Sequence, residues 1–122
     1  MIMIRGVRGA TTVLKDEEHE IIQAVETLLV EMIQENEIHP EKVASVFVSV
    51  TEELQSTFPS KALRNIEGWK YVPVVCMQEI PVEGSLPFCI RIMLHLNTDK
   101  TQQEIQHVYH GEAVALRPDL KN

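Results

Sequence analysis

Two arginines stand where that residue type is costly. Arg8 lies in "RGVRGATTV", residues 5–13, directly after the apolar start "MIMI", and Arg91 lies between Ile90 and Ile92 in "CIRIMLHLN". A guanidinium inside an apolar strand gives up hydration and needs an anion to meet it. For Arg91 two partners are conceivable: a protein carboxylate, Glu79 or Asp99, in a structural ion pair, or an anionic ligand. Arg5 reads as an edge or surface charge. Glu79 ends "VVCMQE", just past a strand, where a carboxylate either lines a cleft or sits solvated in a turn. Lys61 and Arg64, three residues apart, are either the basic wall of a site or a solvated helix face. Tyr109 and Arg117 either close over a site or simply pack. Cys76 reads as a small core hydrophobe, and no Cys-His spacing marks a nucleophile with its base. His107 and His110 form an H-x-x-H pair that no carboxylate or cysteine spacing reinforces, so no metal site is expected. "RGVRGA" has neither P-loop nor dinucleotide spacing, and no cofactor is expected. The set is rich in guanidinium and carries one carboxylate, which suits a small polyanion gripped by bidentate arginines. Any reaction there would run on positioning and electrostatics.

These residues need elements to hold them. Residues 2–8 read as a strand. Asp16 offers an N-cap, and Glu17, Glu18 and Glu20 favour the positive end of a helix dipole. Ile21, Ile22, Val25, Leu28, Leu29, Met32 and Ile33 recur at helical spacing, which predicts one amphipathic helix over 17–35 with Asn36 as its terminator. Pro40 turns the chain. "VASVFVSV", residues 43–50, alternates: Ala44, Val46, Val48 and Val50 on one face, Ser45, Phe47 and Ser49 on the other. Pro59 opens a short helix over 57–66. Residues 71–77 and 89–97 read as a third and a fourth strand. In the fourth, Ile90, Ile92, Leu94 and Leu96 form an aliphatic face opposite Cys89, Arg91, Met93 and His95. "IQHVYH" adds a short fifth strand, and residues 116–122 form a loose tail.

The fold class that follows is α+β: a mixed sheet of about five strands with one long helix on one face. The other face keeps Phe47, Ser45, Cys89, Arg91 and Met93, too apolar for water and too polar for an ordinary core. No second long helix is available to cover it. The expected solution is a second copy of the chain, hence a homo-oligomer with sites near its seams.

A chain of 122 residues with 44% hydrophobic content makes one domain, residues 1–122, with a real core. Asp and Glu outnumber Lys and Arg by 18 to 11, a net charge of -7, which argues against nucleic acid as partner. No run approaches the roughly 20 apolar residues of a membrane span. The apolar start is too short for a targeting segment. Cys76 and Cys89 are expected to stay reduced in a cytoplasmic protein.

"MIRGVRGATTV", "FPSKALR", "GWKYVPVVCMQE", "CIRIM", "HVY" and "LRPDL" occur in one order and spacing, and the sequence from Met3 to Leu120 resembles the small monofunctional chorismate mutases of the Bacillus type. The resemblance implies a homotrimer whose sheets build a pseudo α/β barrel, with sites in the clefts between adjacent subunits. It implies the Claisen rearrangement of chorismate to prephenate, on the route to phenylalanine and tyrosine. That reaction is a concerted bond exchange that moves no proton and needs no cofactor. By resemblance, Arg91 reaches the breaking ether oxygen and a substrate carboxylate. Arg8 and Tyr109 hold the side-chain carboxylate. Glu79 accepts from the ring hydroxyl, and Cys76 lies near that hydroxyl. Phe58, Val74 and Leu116 form apolar walls, and Lys61, Arg64 and Arg117 stand at the cleft mouth. Val75 stands where relatives often carry threonine, so a hydroxyl contact is missing there. The competing reading is a non-catalytic trimeric module that binds a small carboxylate. The joint presence of Arg8, Glu79, Arg91 and Tyr109 favours the enzyme.

Overall fold

An alternating aliphatic strand seeks the middle of a sheet, and β4 (Cys89–Thr98) takes that place. It pairs antiparallel with β1 (Met3–Thr12) on one side and β2 (Val43–Val50) on the other. The outer strands β3 (Val74–Gln78) and β5 (Val108–Tyr109) run parallel to β2 and β1, so the order is β3-β2-β4-β1-β5. The computed structural model describes residues 1–116 of the chain. One long helix, α1 (Glu18–Asn36), crosses between β1 and β2. Short 3-10 turns lie in the connections before β2, β3 and β5, among them Pro59–Asn65, and another, Gly111–Leu116, follows β5.

The helix presents Ile21, Val25, Leu28, Leu29 and Met32 to one face of the sheet. There they meet Val7 of β1, Val46 and Val48 of β2, and Ile90, Ile92, Leu94 and Leu96 of β4, all buried in one cluster. Gly9 permits the close approach: a Cβ there would lie 2.5 Å from the Met32 sulfur. Trp69, Ala62 and Leu63 close the same cluster from the segment before β3.

Several boundaries differ from the sequence expectation, each for a visible reason. Strand β1 runs on to Thr12, because β4 offers a partner at every position down to Cys89. The helix is capped by Glu17, whose carboxylate accepts from the backbone N–H of His19 and Glu20 at 2.9 and 3.1 Å. Asp16 instead accepts from the N–H groups of Gln55 and Ser56, tying the helix entrance to the loop after β2. Asn36 is the last helical residue, and Glu37 beyond it takes the left-handed conformation. The buried Asn36 amide exchanges hydrogen bonds with the Gln106 backbone, which pins the helix end to the approach to β5. Strand β3 starts only at Val74, since Tyr71 and Val72 turn. A bulge between Val43 and Ser45 turns Val43 into the core and leaves Ala44 exposed, against strict alternation.

Four surface carboxylates are held below the usual range by donors fixed in the fold. The Phe88 N–H lowers Glu53, the Lys61 ammonium lowers Glu18, Ser56 lowers Asp16, and the Thr101 N–H lowers Glu104. A carboxylate with a depressed folded pKa stabilises fully above its unfolded pKa, and that support is lost as pH falls through the folded value. Calorimetric melting midpoints should therefore hold steady down to about pH 5 and fall below about pH 4. A midpoint that rises on acidification would contradict this account.

Candidate active site

Paired positions on neighbouring strands put their side chains on the same sheet face. The register therefore sets out one row across the side away from α1: Tyr109 on β5, Ala10 on β1, Arg91 on β4, Ser49 on β2 and Met77 on β3. Ala10 contributes only a methyl between the phenol and the guanidinium. Arg8 stands one row along, opposite Met93, and so diagonal to Arg91. Glu79 follows β3 directly, its backbone N–H bound to Val50 O at 2.8 Å, and its carboxylate reaches Ser49 and Arg91 within the row.

The electrostatics of this row are incomplete in a particular way. Glu79 Oε2 lies 3.2 Å from Arg91 Nε. The approach is a charge contact without hydrogen-bond alignment, since among the described residues the buried Arg91 Nε–H has no acceptor. The Tyr109 hydroxyl is likewise buried without a partner. Of the two carboxylates weighed for Arg91, Glu79 is the one that meets it. Among the described residues the Arg8 guanidinium has no carboxylate partner. The Arg8 backbone N–H donates to His107 Nδ1 at 3.0 Å, while His110 Nε2 lies 2.9 Å from Glu31 Oε1. The H-x-x-H pair is thus split between two partners, and among the described residues no cluster able to hold a metal is present.

A second set of candidates lies elsewhere. Val74 and Cys76 share the side of Val46 and Val48, toward the core, and both pack against the core cluster. Phe58, Lys61, Cys76 and Met77 line a cleft of about 490 Å³ along the β3 edge. Lys61 reaches Glu18 of α1 at 2.8 Å, so it is both an ion-pair member and a wall of the cleft. Phe58 is a large apolar ring, 69% exposed. Arg64 is exposed on the same turn. Leu116 ends the last 3-10 turn, half-buried, and Arg117 lies outside the described residues. Both thiols are free. Burial pushes the Cys89 thiol up, away from thiolate chemistry.

Within the chain the candidates therefore fall into two groups. One, on the open sheet face, holds Arg8, Arg91, Tyr109 and Glu79. The other, along the β3 edge, holds Phe58, Lys61, Val74 and Cys76. Ser49 belongs with the first: its hydroxyl donates to Glu79 Oε2 at 3.3 Å. Sequence reasoning placed it on the right face but gave it no role. A lone hydroxyl between valines was the available signal.

A mixed sheet with one helical layer, with Arg8, Arg91 and Tyr109 on the face away from α1, defines a small α+β protein. The sequence model of the family "Chorismate mutase type I" matches residues 4–120. The chain is 51% identical over 119 residues to chorismate mutase AroH of Bacillus subtilis, covering 98% of this chain and 94% of that protein. It is 47% identical over 121 residues to chorismate mutase AroH of Thermus thermophilus, covering 98% of each. The solved chorismate mutase of Clostridium thermocellum superposes with a TM-score of 0.88 at 41% identity, over 91% of this chain and 98% of that one. The chain belongs to the chorismate mutase type I family.

Proposed function

We propose that this protein rearranges chorismate to prephenate as a cytoplasmic homotrimer, each site being closed by the two half-sites of adjacent subunits. The observation that carries the reading is the pair of buried donors, Arg91 Nε–H and Tyr109 O–H, left without acceptors among the described residues on the sheet face away from α1. Buried donors are rarely left unpaired, and a dicarboxylate ether supplies the acceptors they lack. The bare face also carries Phe47, Val75 and Met77, all more than a third exposed, as a surface awaiting a second copy would.

The rearrangement breaks a C–O bond while a C–C bond forms within one molecule. Electron density gathers on the ether oxygen as its bond stretches. Arg91, fixed before the substrate arrives, stabilises that oxygen more in the transition state than in the ground state. Arg8 and Tyr109 hold the side-chain carboxylate. Glu79 accepts from the ring hydroxyl and faces the positive charge that develops on the ring. Phe58, Val74 and Leu116 press the substrate into its compact form, in which the reacting carbons approach. Lys61, Arg64 and Arg117 draw the dianion to the cleft mouth. Cys76 packs beside the hydroxyl.

The test is direct. Purified protein mixed with chorismate should consume its absorbance far faster than the uncatalysed reaction, with prephenate as the product by NMR. Saturable binding without turnover would identify a carboxylate-binding module and reject the enzyme.

A further inference from the structure

The Arg91–Glu79 contact raises a problem for any anion site. A carboxylate 3.2 Å from a guanidinium nitrogen normally takes that N–H as a hydrogen bond. Here it does not, and the Nε–H stays available. The reason lies in what else holds the carboxylate. The Ile80 N–H donates to Glu79 Oε1 at 3.1 Å, and the Ser49 hydroxyl donates to Oε2 at 3.3 Å. Ser49 stands directly opposite Arg91 across the β2–β4 ladder, so its hydroxyl reaches the oxygen nearest the guanidinium. The backbone of Glu79 is fixed as well, through its N–H to Val50 O.

We infer that Ser49 is a positioning residue for the rearrangement: its hydroxyl holds the Glu79 carboxylate beside Arg91 at an angle that leaves the Arg91 Nε–H free for the substrate oxygen. The inference rests on the mutase reading above. With the hydroxyl present, Glu79 supports the guanidinium through space and spends no Arg91 donor. Without it, Oε2 loses its competing donor, and the carboxylate rotates into an aligned ion pair. Arg91 is then occupied by protein when the ether oxygen begins to charge. Such a change leaves ground-state binding by Arg8 and Tyr109 intact and weakens an interaction made in the transition state.

Ser49→Ala and Ser49→Thr, each assayed with chorismate beside the unaltered protein, test this. Ser49→Ala should lower kcat about tenfold with KM within about twofold of the original, the pattern of a lost transition-state interaction. Ser49→Thr keeps the hydroxyl and suits a strand, so it should recover most of kcat. Melting midpoint and oligomer mass should match the unaltered protein in both. Unchanged kcat in Ser49→Ala, a loss confined to KM, a loss that threonine does not restore, or a loss that follows the melting midpoint or the assembly would each overturn the inference. Absence of turnover in the unaltered protein would instead reject the mutase reading itself, so the two failures are distinct.

Discussion

Citrulline in place of Arg91 should leave the fold and the assembly intact and lower kcat more than a hundredfold. The exchange keeps the planar shape and the Nε–H and replaces one terminal NH2 with a carbonyl oxygen, so the charge and one donor group go while the packing stays. Loss of one donor to a developing oxyanion costs about 3 kcal/mol, a factor of about 150. A fixed charge in a water-excluded cleft is worth at least as much. Near-unaltered kcat would mean that Arg91 serves only its contact with Glu79, and loss of assembly would assign it to the interface. The proposed half-site arrangement adds a sharper readout. Subunits lacking the Arg91 charge, mixed and reassembled with Lys61→Ala subunits, should regain activity, because some seams then combine two intact halves. Random assembly gives about a quarter of the sites in that state. Mixtures as inactive as their parents would place all the machinery within one chain.

Leu94→Ala should lower stability by about 3 kcal/mol, or about 10 °C in melting midpoint. Leu94 is fully buried at the centre of β4, opposite Val7 and Val46, with α1 above. The cavity left there has rigid strands on both sides and little means to collapse. That is a large share of the roughly 5–15 kcal/mol that holds a domain of this kind. Met93→Ala, one residue away on the bare face, should act differently: its loss should show as weaker association in sedimentation. A stability cost at Met93 equal to that at Leu94 would mean that both faces are core within one chain.

The contrast between those neighbours also shows how far the sequence could be read. Period-two alternation in 43–50 and 89–98 announces strands and assigns each side chain to a face, because successive residues on a pleated chain point opposite ways. Helical spacing from Ile21 to Ile33 announces the single covering layer. The surplus apolar face, and with it the expectation of a second copy, followed from those two patterns alone. Where the reading slipped, longer-range contacts had overridden a local preference. Glu17 caps the helix because Asp16 is drawn to the Gln55 and Ser56 backbone, forty residues along the chain. Ala44 faces outward because a bulge shifts the register against β4.

The sequence by itself determined the kinds of side chain available for the chemistry: arginines set in apolar strands, one carboxylate just past a strand end, no paired nucleophile and base. Types and spacing along a strand are local quantities, and a single chain displays them in full. Only the tertiary structure decided which of these residues meet. Register between strands places Tyr109, Ala10, Arg91 and Ser49 in one row, although they come from four separate segments. Hydrogen-bond angles, too, exist only after folding. They turn a 3.2 Å contact between Glu79 and Arg91 into one that leaves a donor free.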